Sequence, residues 1–126
     1  MKRGTVLQKT LRSFRYAASG FKPVWKGQRN IKIQLGCGLL ALCAGILFRI
    51  SGGEFVIILV LCAFVLVFEI FNTAIEKTID LIGRSYSRKL GEIKDICAAG
   101  VLIAAIAAVI GGCIIFIPYI RRSFFG

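Results

Sequence analysis

The sequence predicts an all-α integral membrane protein, in which an N-terminal amphipathic surface helix is followed by three transmembrane helices. Three observations predict this fold: hydrophobic residues make up 57% of the 126 residues, they form three long apolar runs, and most Lys and Arg residues lie outside those runs. A chain of this length is expected to form one domain, so residues 1–126 are treated as a single membrane domain.

The three apolar runs define the predicted spans. A helix needs roughly 20 mostly apolar residues to cross a bilayer, and the runs cover about residues 33–50, 55–82 with a cytoplasmic extension, and 96–120. They leave a tight connection at residues 51–54 and a polar loop at residues 83–91. Each span is expected to be helical, because hydrocarbon offers no hydrogen-bond partner for open backbone groups.

The charged residues predict the orientation and exclude one class of partner. Residues 1–32 hold nine Lys or Arg and no acid, and residues 77–94 hold five more basic residues. The positive-inside rule therefore places the N-terminus and the second loop in the cytoplasm. A formal charge of +11 also suits nucleic acid. A nucleic-acid binder of this length would not carry three long apolar runs, so membrane lipids are the expected partner and nucleic acid is not.

The basic N-terminal segment has the pattern of a surface helix over about residues 5–22. Its apolar residues recur at spacings of four and three, which places them on one helical stripe: Leu7, Leu11, Phe14, Ala18, Phe21 and Trp25. Pro23 is expected to end or kink this helix. A basic amphipathic helix with aromatic residues lies well on an anionic membrane surface; the alternative is a cytoplasmic helix packed on protein.

The third span carries small residues at every fourth position, namely Gly100, Ala104, Ala108 and Gly112. Small residues at this spacing let two helix backbones approach closely. The pattern predicts a packing ridge, either within the protomer or between subunits. Three spans alone make a thin bundle, so an oligomer is expected on that ground as well.

The second span ends in four polar residues at spacings of three, four and four: Glu69, Asn72, Glu76 and Asp80. These spacings place the residues within roughly 80° of one helical face. An ionisable residue at the end of an apolar run indicates a functional site, because its burial is costly. The alternative is a helix that emerges into water with a solvated polar face, which would explain Asp80 better than Glu69 or Asn72.

The residue types on this face are those that phosphoryl transfer requires. Carboxylates can hold Mg²⁺ together with substrate phosphates, and a carboxylate beside a hydroxyl can act as general base. Lys94 and Asp95 lie near the start of the third span, at the same boundary, where a lysine can pair with phosphate. The sequence holds no histidine, which makes a zinc site unexpected. It also holds no Walker A or protein-kinase motif.

The run of residues 69–80 resembles the signature of the small bacterial diacylglycerol kinase and undecaprenol kinase family. Lys94-Asp95 and the Ala/Gly-rich span after it resemble the second motif of that family. Residues 13–17 with Gly20 resemble its N-terminal surface helix, and residues 29–33 resemble the segment that enters its first span. The resemblance covers nearly the whole chain, and the motif at residues 69–80 is its most specific part.

The resemblance implies an ATP-dependent lipid kinase of the bacterial inner membrane that uses Mg²⁺. It implies a homotrimer with active sites shared between subunits at the cytoplasmic membrane face. Glu69 would be the general base on the lipid hydroxyl, supported by Asn72, and Glu76 would bind Mg²⁺. The remaining residues would bind the nucleotide: Lys94 with Lys9 or Arg12 at the phosphates, Asp80 and Asp95 at the ribose or base, and Tyr16 near the adenine.

Two residues depart from the family pattern. Gln28 stands where the family usually has a glutamate that serves as a second metal-binding carboxylate, so Gln28 is a doubtful metal ligand. Gln34 stands where related members often carry a histidine. These changes bear on catalytic strength and on the number of metal ions, and they leave the fold prediction unchanged.

The expected substrate is undecaprenol. The Arg-Asn-x-Lys-Ile stretch at residues 29–33 and the Ile-Phe-Ile-Pro stretch at residues 115–118 resemble Gram-positive members, which tend to phosphorylate undecaprenol. The alternative substrate is diacylglycerol, which would give phosphatidic acid. Two alternatives of another class stay open: a small proton-coupled transporter, since Glu69 also suits proton coupling, and a catalytically weak membrane regulatory protein.

Overall fold

The computed structural model describes residues 6–82 and 87–125, and these residues form four α-helices. The helices are α1 (Val6–Gly27), α2 (Arg29–Leu47), α3 (Gly52–Ile82) and α4 (Arg88–Phe125). Helices α2, α3 and α4 are each long and apolar enough to cross a membrane. The described residues therefore confirm the prediction of a helical protein with three helices that fit membrane spans.

Helix α3 lies at the centre of the protein and packs against both α2 and α4. The buried apolar positions of the spans are few and include Ile58, Val65, Ala104 and Ile115. Most other large apolar side chains of the spans are exposed; Leu40, for example, is 72% exposed. An apolar surface of this extent must be covered by lipid tails or by other subunits.

Helix α1 extends five residues beyond its predicted end. It runs through Pro23 to Gly27, so the prediction that the helix ends near residue 22 is wrong. The last turn is attached to the rest of the protein: Lys77 Nζ donates a hydrogen bond to the Pro23 carbonyl oxygen at 3.1 Å, and Val24 is buried. The apolar residues nearer the N-terminus, such as Leu11 and Phe14, are exposed, and their contact with a membrane surface stays a prediction.

The connection between α2 and α3 covers residues 48–51. It begins three residues before the connection predicted at residues 51–54. Two backbone hydrogen bonds close the end of α2, from Ile50 N–H to Gly45 O and from Arg49 N–H to Ile46 O, both at 3.1 Å. This is the Schellman arrangement. Arg49 takes the left-handed position, with φ 52°, where glycine is the usual residue.

A capping box explains why Gly52 and Gly53 are helical although the pair suggested a turn. Ser51 N–H donates to Glu54 Oε2 at 2.8 Å, and Glu54 N–H donates to Ser51 Oγ at 3.3 Å. These reciprocal bonds satisfy the free backbone donors at a helix start. Tyr119 Oη also donates to Glu54 Oε2, at 2.7 Å, and so joins the start of α3 to the end of α4.

Helix α4 begins earlier than the sequence suggested. The predicted loop covers residues 83–91, of which residues 83–86 lie outside the described residues. Residues 88–91 are already helical, and the Ser87 carbonyl oxygen accepts hydrogen bonds from Leu90 N–H and Gly91 N–H. A salt bridge between Arg88 and Glu92 at 3.4 Å adds an i,i+4 pair to this first turn.

The ridge of small residues on α4 contacts α3 at one end, and a contact of its other end with a neighbouring subunit stays a prediction. A β-carbon added at Gly100 would lie 3.3 Å from the Phe68 ring, and Ala104 is 2% exposed. Gly112, in contrast, has nothing within 4 Å, and its neighbour Gly111 faces Leu61 instead. Each step of four residues turns about 40° beyond a full circle, so a strict four-residue pattern leaves the interface after three steps.

We expect Ala104→Leu to destabilise the protein by ~1–3 kcal/mol, because the larger side chain overpacks the interface between α3 and α4. Ala107→Leu introduces the same side chain at an exposed position of the same helix and is the matched control. Thermal unfolding of both variants in detergent measures the difference. Equal melting temperatures for the two variants would show that Ala104 is not an interface residue.

Candidate active site

The polar face at the end of α3 is largely buried in the protein. Glu69 is 2% exposed, Asn72 is 9% exposed and Thr73 is 1% exposed. Asp80 is exposed at the far end of the same face. Glu76, the remaining predicted residue of this face, is half-buried. The alternative of a solvated polar face therefore fits Asp80 and in part Glu76, whereas Glu69 and Asn72 are removed from water.

Glu69 is paired with a residue of α2. Gln34 Nε2 donates a hydrogen bond to Glu69 Oε2 at 3.1 Å. Our sequence-based set of site residues did not include Gln34, although one signal pointed to it. Gln34 carries the only amide side chain in the first apolar run, and a buried polar group in a membrane helix needs a polar partner.

A second pair of contacts surrounds Glu76. Asn72 Nδ2 donates to Glu76 Oε1 at 3.2 Å, and Gln28 Nε2 donates to Glu76 Oε2 at 3.1 Å. Gln28 occupies the extended residue between α1 and α2, with φ −120° and ψ 117°, and this geometry turns the chain toward α3. Gln28 therefore lies beside Glu76 and acts as a donor to its carboxylate. Asn72 supports Glu76, and no hydrogen bond joins it to Glu69 within the described residues.

Three buried polar atoms at this site have no hydrogen-bond partner among the residues described. They are Gln34 Oε1, Asn72 Oδ1 and Thr73 Oγ1. A buried polar atom without a partner costs ~1–3 kcal/mol. Their concentration beside Glu69 and Glu76 indicates a site that is completed by a ligand or by water.

The exposed end of the face carries an ion pair between α3 and α4. Lys94 Nζ lies 2.6 Å from Asp80 Oδ1, and the two side chains are 38% and 65% exposed. An exposed pair of this kind contributes little to stability, because water and salt screen it. Its lysine can therefore change partners at low cost when a phosphate arrives.

The structure does not bring every predicted site residue to this face. Asp95 is exposed on α4, next to Lys94. Lys9, Arg12 and Tyr16 are exposed on α1, and within the described part of the chain no hydrogen bond or ion pair joins them to the residues around Glu69 and Glu76.

The donor groups present fit a metal ion that arrives with its own ligands. In the described residues, no group of three or more His, Cys, Asp or Glu side chains could hold a metal by itself. The Glu76 carboxylate and the unpartnered Asn72 Oδ1 are hard oxygen donors. Mg²⁺ typically binds one or two such protein oxygens and takes its remaining ligands from substrate phosphates and water.

An apolar groove of about 500 Å³ lies between α2, α3 and α4, and Gln34 lines it. The other described lining residues are apolar, glycine or cysteine, and they include Cys37, Cys62, Val65 and Phe116. The groove therefore connects the apolar middle of the bundle to the amide that holds Glu69. It has the character of a site for an apolar chain with one polar end.

The polar groups form three levels along the axis of α3. With a rise of 1.5 Å per residue, Glu76 lies roughly 10 Å from Glu69 and Asp80 lies roughly 16 Å from it. The first level is Glu69, a buried carboxylate bound by Gln34 of the groove wall. The second is Glu76, whose carboxylate accepts hydrogen bonds from two amides, and the third is the exposed pair of Asp80 with Lys94. This order can place an alcohol at one end and a polyphosphate with its cation at the other.

The profile of the prokaryotic diacylglycerol kinase family matches residues 15–116. A diacylglycerol kinase from Synechocystis sp. is 39% identical over 109 residues, which cover 84% of this chain and 62% of that protein, so this chain spans about three fifths of that relative. An undecaprenol kinase from Bacillus subtilis is 31% identical over 89% of this chain and 91% of its own length. A diacylglycerol kinase from Escherichia coli is 32% identical over 79% of this chain and 82% of its own length.

The family profile covers most of the chain and includes the whole polar face of α3. The relatives from three different bacteria are all named as kinases of lipid alcohols. Together with the motif at residues 69–80, these matches show that the chain belongs to the prokaryotic diacylglycerol kinase family of membrane lipid kinases, as the sequence predicted.

Proposed function

We propose that this protein transfers the γ-phosphoryl group of ATP to the hydroxyl group of a membrane lipid alcohol, at the cytoplasmic face of the bacterial inner membrane. The observation that carries the proposal is the position of Glu69. Glu69 is 2% exposed, and Gln34, which lines the apolar groove, donates a hydrogen bond to its carboxylate. A lipid tail in the groove brings its hydroxyl group to a buried base.

In the proposed reaction, Glu69 takes part in the chemical step and Asn72 supports Glu76 farther along the α3 face. Glu69 accepts the proton of the lipid hydroxyl while that oxygen attacks the γ-phosphorus, and the bond between the γ-phosphorus and ADP breaks. Asn72 holds the Glu76 carboxylate in place. The proton leaves Glu69 afterwards with the phosphate product or with water.

The nucleotide phosphates occupy the outer levels of the face. Lys94 exchanges its ion pair with Asp80 for a contact with the phosphates, since the existing pair is weak and exposed. Asp80 is then free to accept hydrogen bonds from the ribose or base, together with Asp95, which follows Lys94 on α4. The residues Lys9, Arg12 and Tyr16 of α1 complete the nucleotide site.

The site would take Mg²⁺ together with ATP. Glu76 and Asn72 Oδ1 are the residues that would hold the ion, and the ion would neutralise negative charge on the phosphates. Gln28 presents its amide nitrogen to Glu76, so its contribution is to hold this carboxylate.

A homotrimer fits the distribution of site residues and apolar surface. The exposed apolar side chains of the spans give neighbouring copies a surface to cover. Lys9, Arg12 and Tyr16 of α1 are exposed, and within the described residues no hydrogen bond or ion pair joins them to the α3 face of their own chain. In a trimer, α1 of one copy supplies these residues to the site of another.

Undecaprenol is the first candidate for the lipid alcohol, on the sequence features at residues 29–33 and 115–118. Diacylglycerol is the second candidate, because a relative that is 39% identical is named diacylglycerol kinase. Both lipids present one free hydroxyl group on a long apolar body, which is the chemistry that the groove and Glu69 accommodate.

The experiment that tests the function is phosphate transfer from labelled ATP to undecaprenol and to diacylglycerol, side by side, in detergent with magnesium. We expect label in at least one lipid phosphate, and a higher kcat/KM for undecaprenol. Absence of lipid phosphate with both acceptors would reject the kinase, and proton-coupled transport in vesicles would then be the function to test.

We predict that Glu69→Gln lowers kcat by about a hundredfold or more, because the amide cannot accept the hydroxyl proton. The affinity for ATP should change little, since a base acts in the chemical step and not in nucleotide binding. Glu92→Gln, the same change at an exposed residue of α4, is the control. A kcat within about threefold of the parent would reject Glu69 as the base.

We also predict that Gln28→Glu lowers the magnesium concentration for half-maximal rate and raises kcat by about tenfold, which equals ~1.4 kcal/mol of barrier. The substitution places a second carboxylate beside Glu76, and Mg²⁺ prefers charged oxygen ligands. Gln8→Glu makes the same change near the start of α1 and is the control. Superimposable magnesium titrations of the parent and Gln28→Glu would remove Gln28 from the metal site.

A further inference from the structure

Gln34 is placed to act on the proposed reaction although it lies on a different helix from the motif residues. Its Nε2 donates to Glu69 Oε2 at 3.1 Å. The second carboxylate oxygen of Glu69 receives no hydrogen bond from the residues that the structure describes. The contact therefore fixes one carboxylate oxygen and leaves the other available to a substrate hydroxyl.

The amide nitrogen of Gln34 donates a hydrogen bond, whereas its carbonyl oxygen is an acceptor without a partner among the described residues. Gln34 Oε1 is buried and has no hydrogen-bond partner in the described part of the chain. An amide can turn its nitrogen or its oxygen toward the same neighbour by rotation about its last side-chain bond. Gln34 can thus bind Glu69 as a donor or as an acceptor.

A general base needs a partner of this kind. Glu69 is a carboxylate before the reaction, which calls for a donor, and it is a carboxylic acid after it has taken the hydroxyl proton, which calls for an acceptor. At 2% exposure, Glu69 has little access to water that would otherwise fill either role. A partner that only donates, such as lysine, would hold the first state alone.

We propose that Gln34 is a positioning residue that holds Glu69 in both protonation states of each turnover. Its amide N–H binds Oε2 of the carboxylate while Oε1 takes the proton of the lipid hydroxyl. Rotation of the carboxyl group then brings the new O–H to Gln34, whose carbonyl oxygen accepts its hydrogen bond. The proton then leaves with the product, and the amide turns back. This inference rests on the proposed kinase function and adds a residue that the motif does not contain.

Three substitutions at Gln34 test the inference in the full-length protein. Gln34→Met keeps the length of the side chain and removes both donor and acceptor, Gln34→Lys keeps a donor only, and Gln34→His keeps both. We expect Met and Lys to lower kcat at least tenfold with KM for ATP within twofold of the parent. We expect His to stay within about threefold of the parental kcat.

Gln8→Met, which makes the same change near the start of α1, is the matched control and should leave kcat unchanged. A melting-temperature cycle of Gln34→Met, Glu69→Leu and the double variant tests the contact without any activity. We expect the two shifts to be non-additive, because the residues share one hydrogen bond. Additive shifts would overturn the contact and the inference with it.

The outcomes separate this inference from the proposed function. A parent protein that transfers phosphate, together with a Gln34→Met variant whose kcat is within threefold of it, overturns the role of Gln34 and leaves the kinase standing. A Gln34→Lys variant with parental kcat overturns the need for an acceptor. A folded parent that transfers phosphate to neither lipid alcohol overturns the proposed function itself.

Discussion

The burial of the Glu69 carboxylate is the constraint on which the arrangement of α2 and α3 depends. A carboxylate that is 2% exposed within a bundle of apolar helices needs a polar partner from a neighbouring helix, and Gln34 supplies it. In the second amide–carboxylate pair, Gln28 precedes Gln34 by six residues, just before α2 begins, and Glu76 follows Glu69 by seven residues on α3. Both pairs therefore fit one antiparallel register, and together they fix it.

Helix α4 packs against α3 through small residues that lie between two polar contacts. Lys94 pairs with Asp80 near one end of α4, and Tyr119 donates to Glu54 near the other. Between these contacts, Gly100 and Gly111 bring α4 close to α3. The contact at Asp80 is exposed and can exchange with a ligand, whereas the contact at Glu54 belongs to the capping box that begins α3.

The sequence predicted which side chains share a face of one helix, and it missed the contacts between side chains of two different helices. The spacing of Glu69, Asn72 and Glu76 placed these residues on one face, because helical periodicity is a local property. The partnership of Gln34 with Glu69 joins residues 35 positions apart, and no periodicity within one helix contains it. The end of α1 has a similar origin, since the bond from Lys77 to the Pro23 carbonyl joins residues 54 positions apart. The start of α3 does not, because Ser51 and Glu54 form a local capping box at a spacing of three residues.

The chemistry of the partners explains how the site can hold negative charge in an apolar setting and still receive a cation. Within the described residues, no Lys or Arg forms an ion pair with Glu69 or Glu76, although the chain has a formal charge of +11. The partners are amides, which donate hydrogen bonds without neutralising the carboxylates. A lysine at Gln28 would compete with a metal ion for Glu76. Neutral donors leave the charge of Glu76 available to Mg·ATP, and the lysine of the site, Lys94, stays at the exposed end where the phosphates arrive.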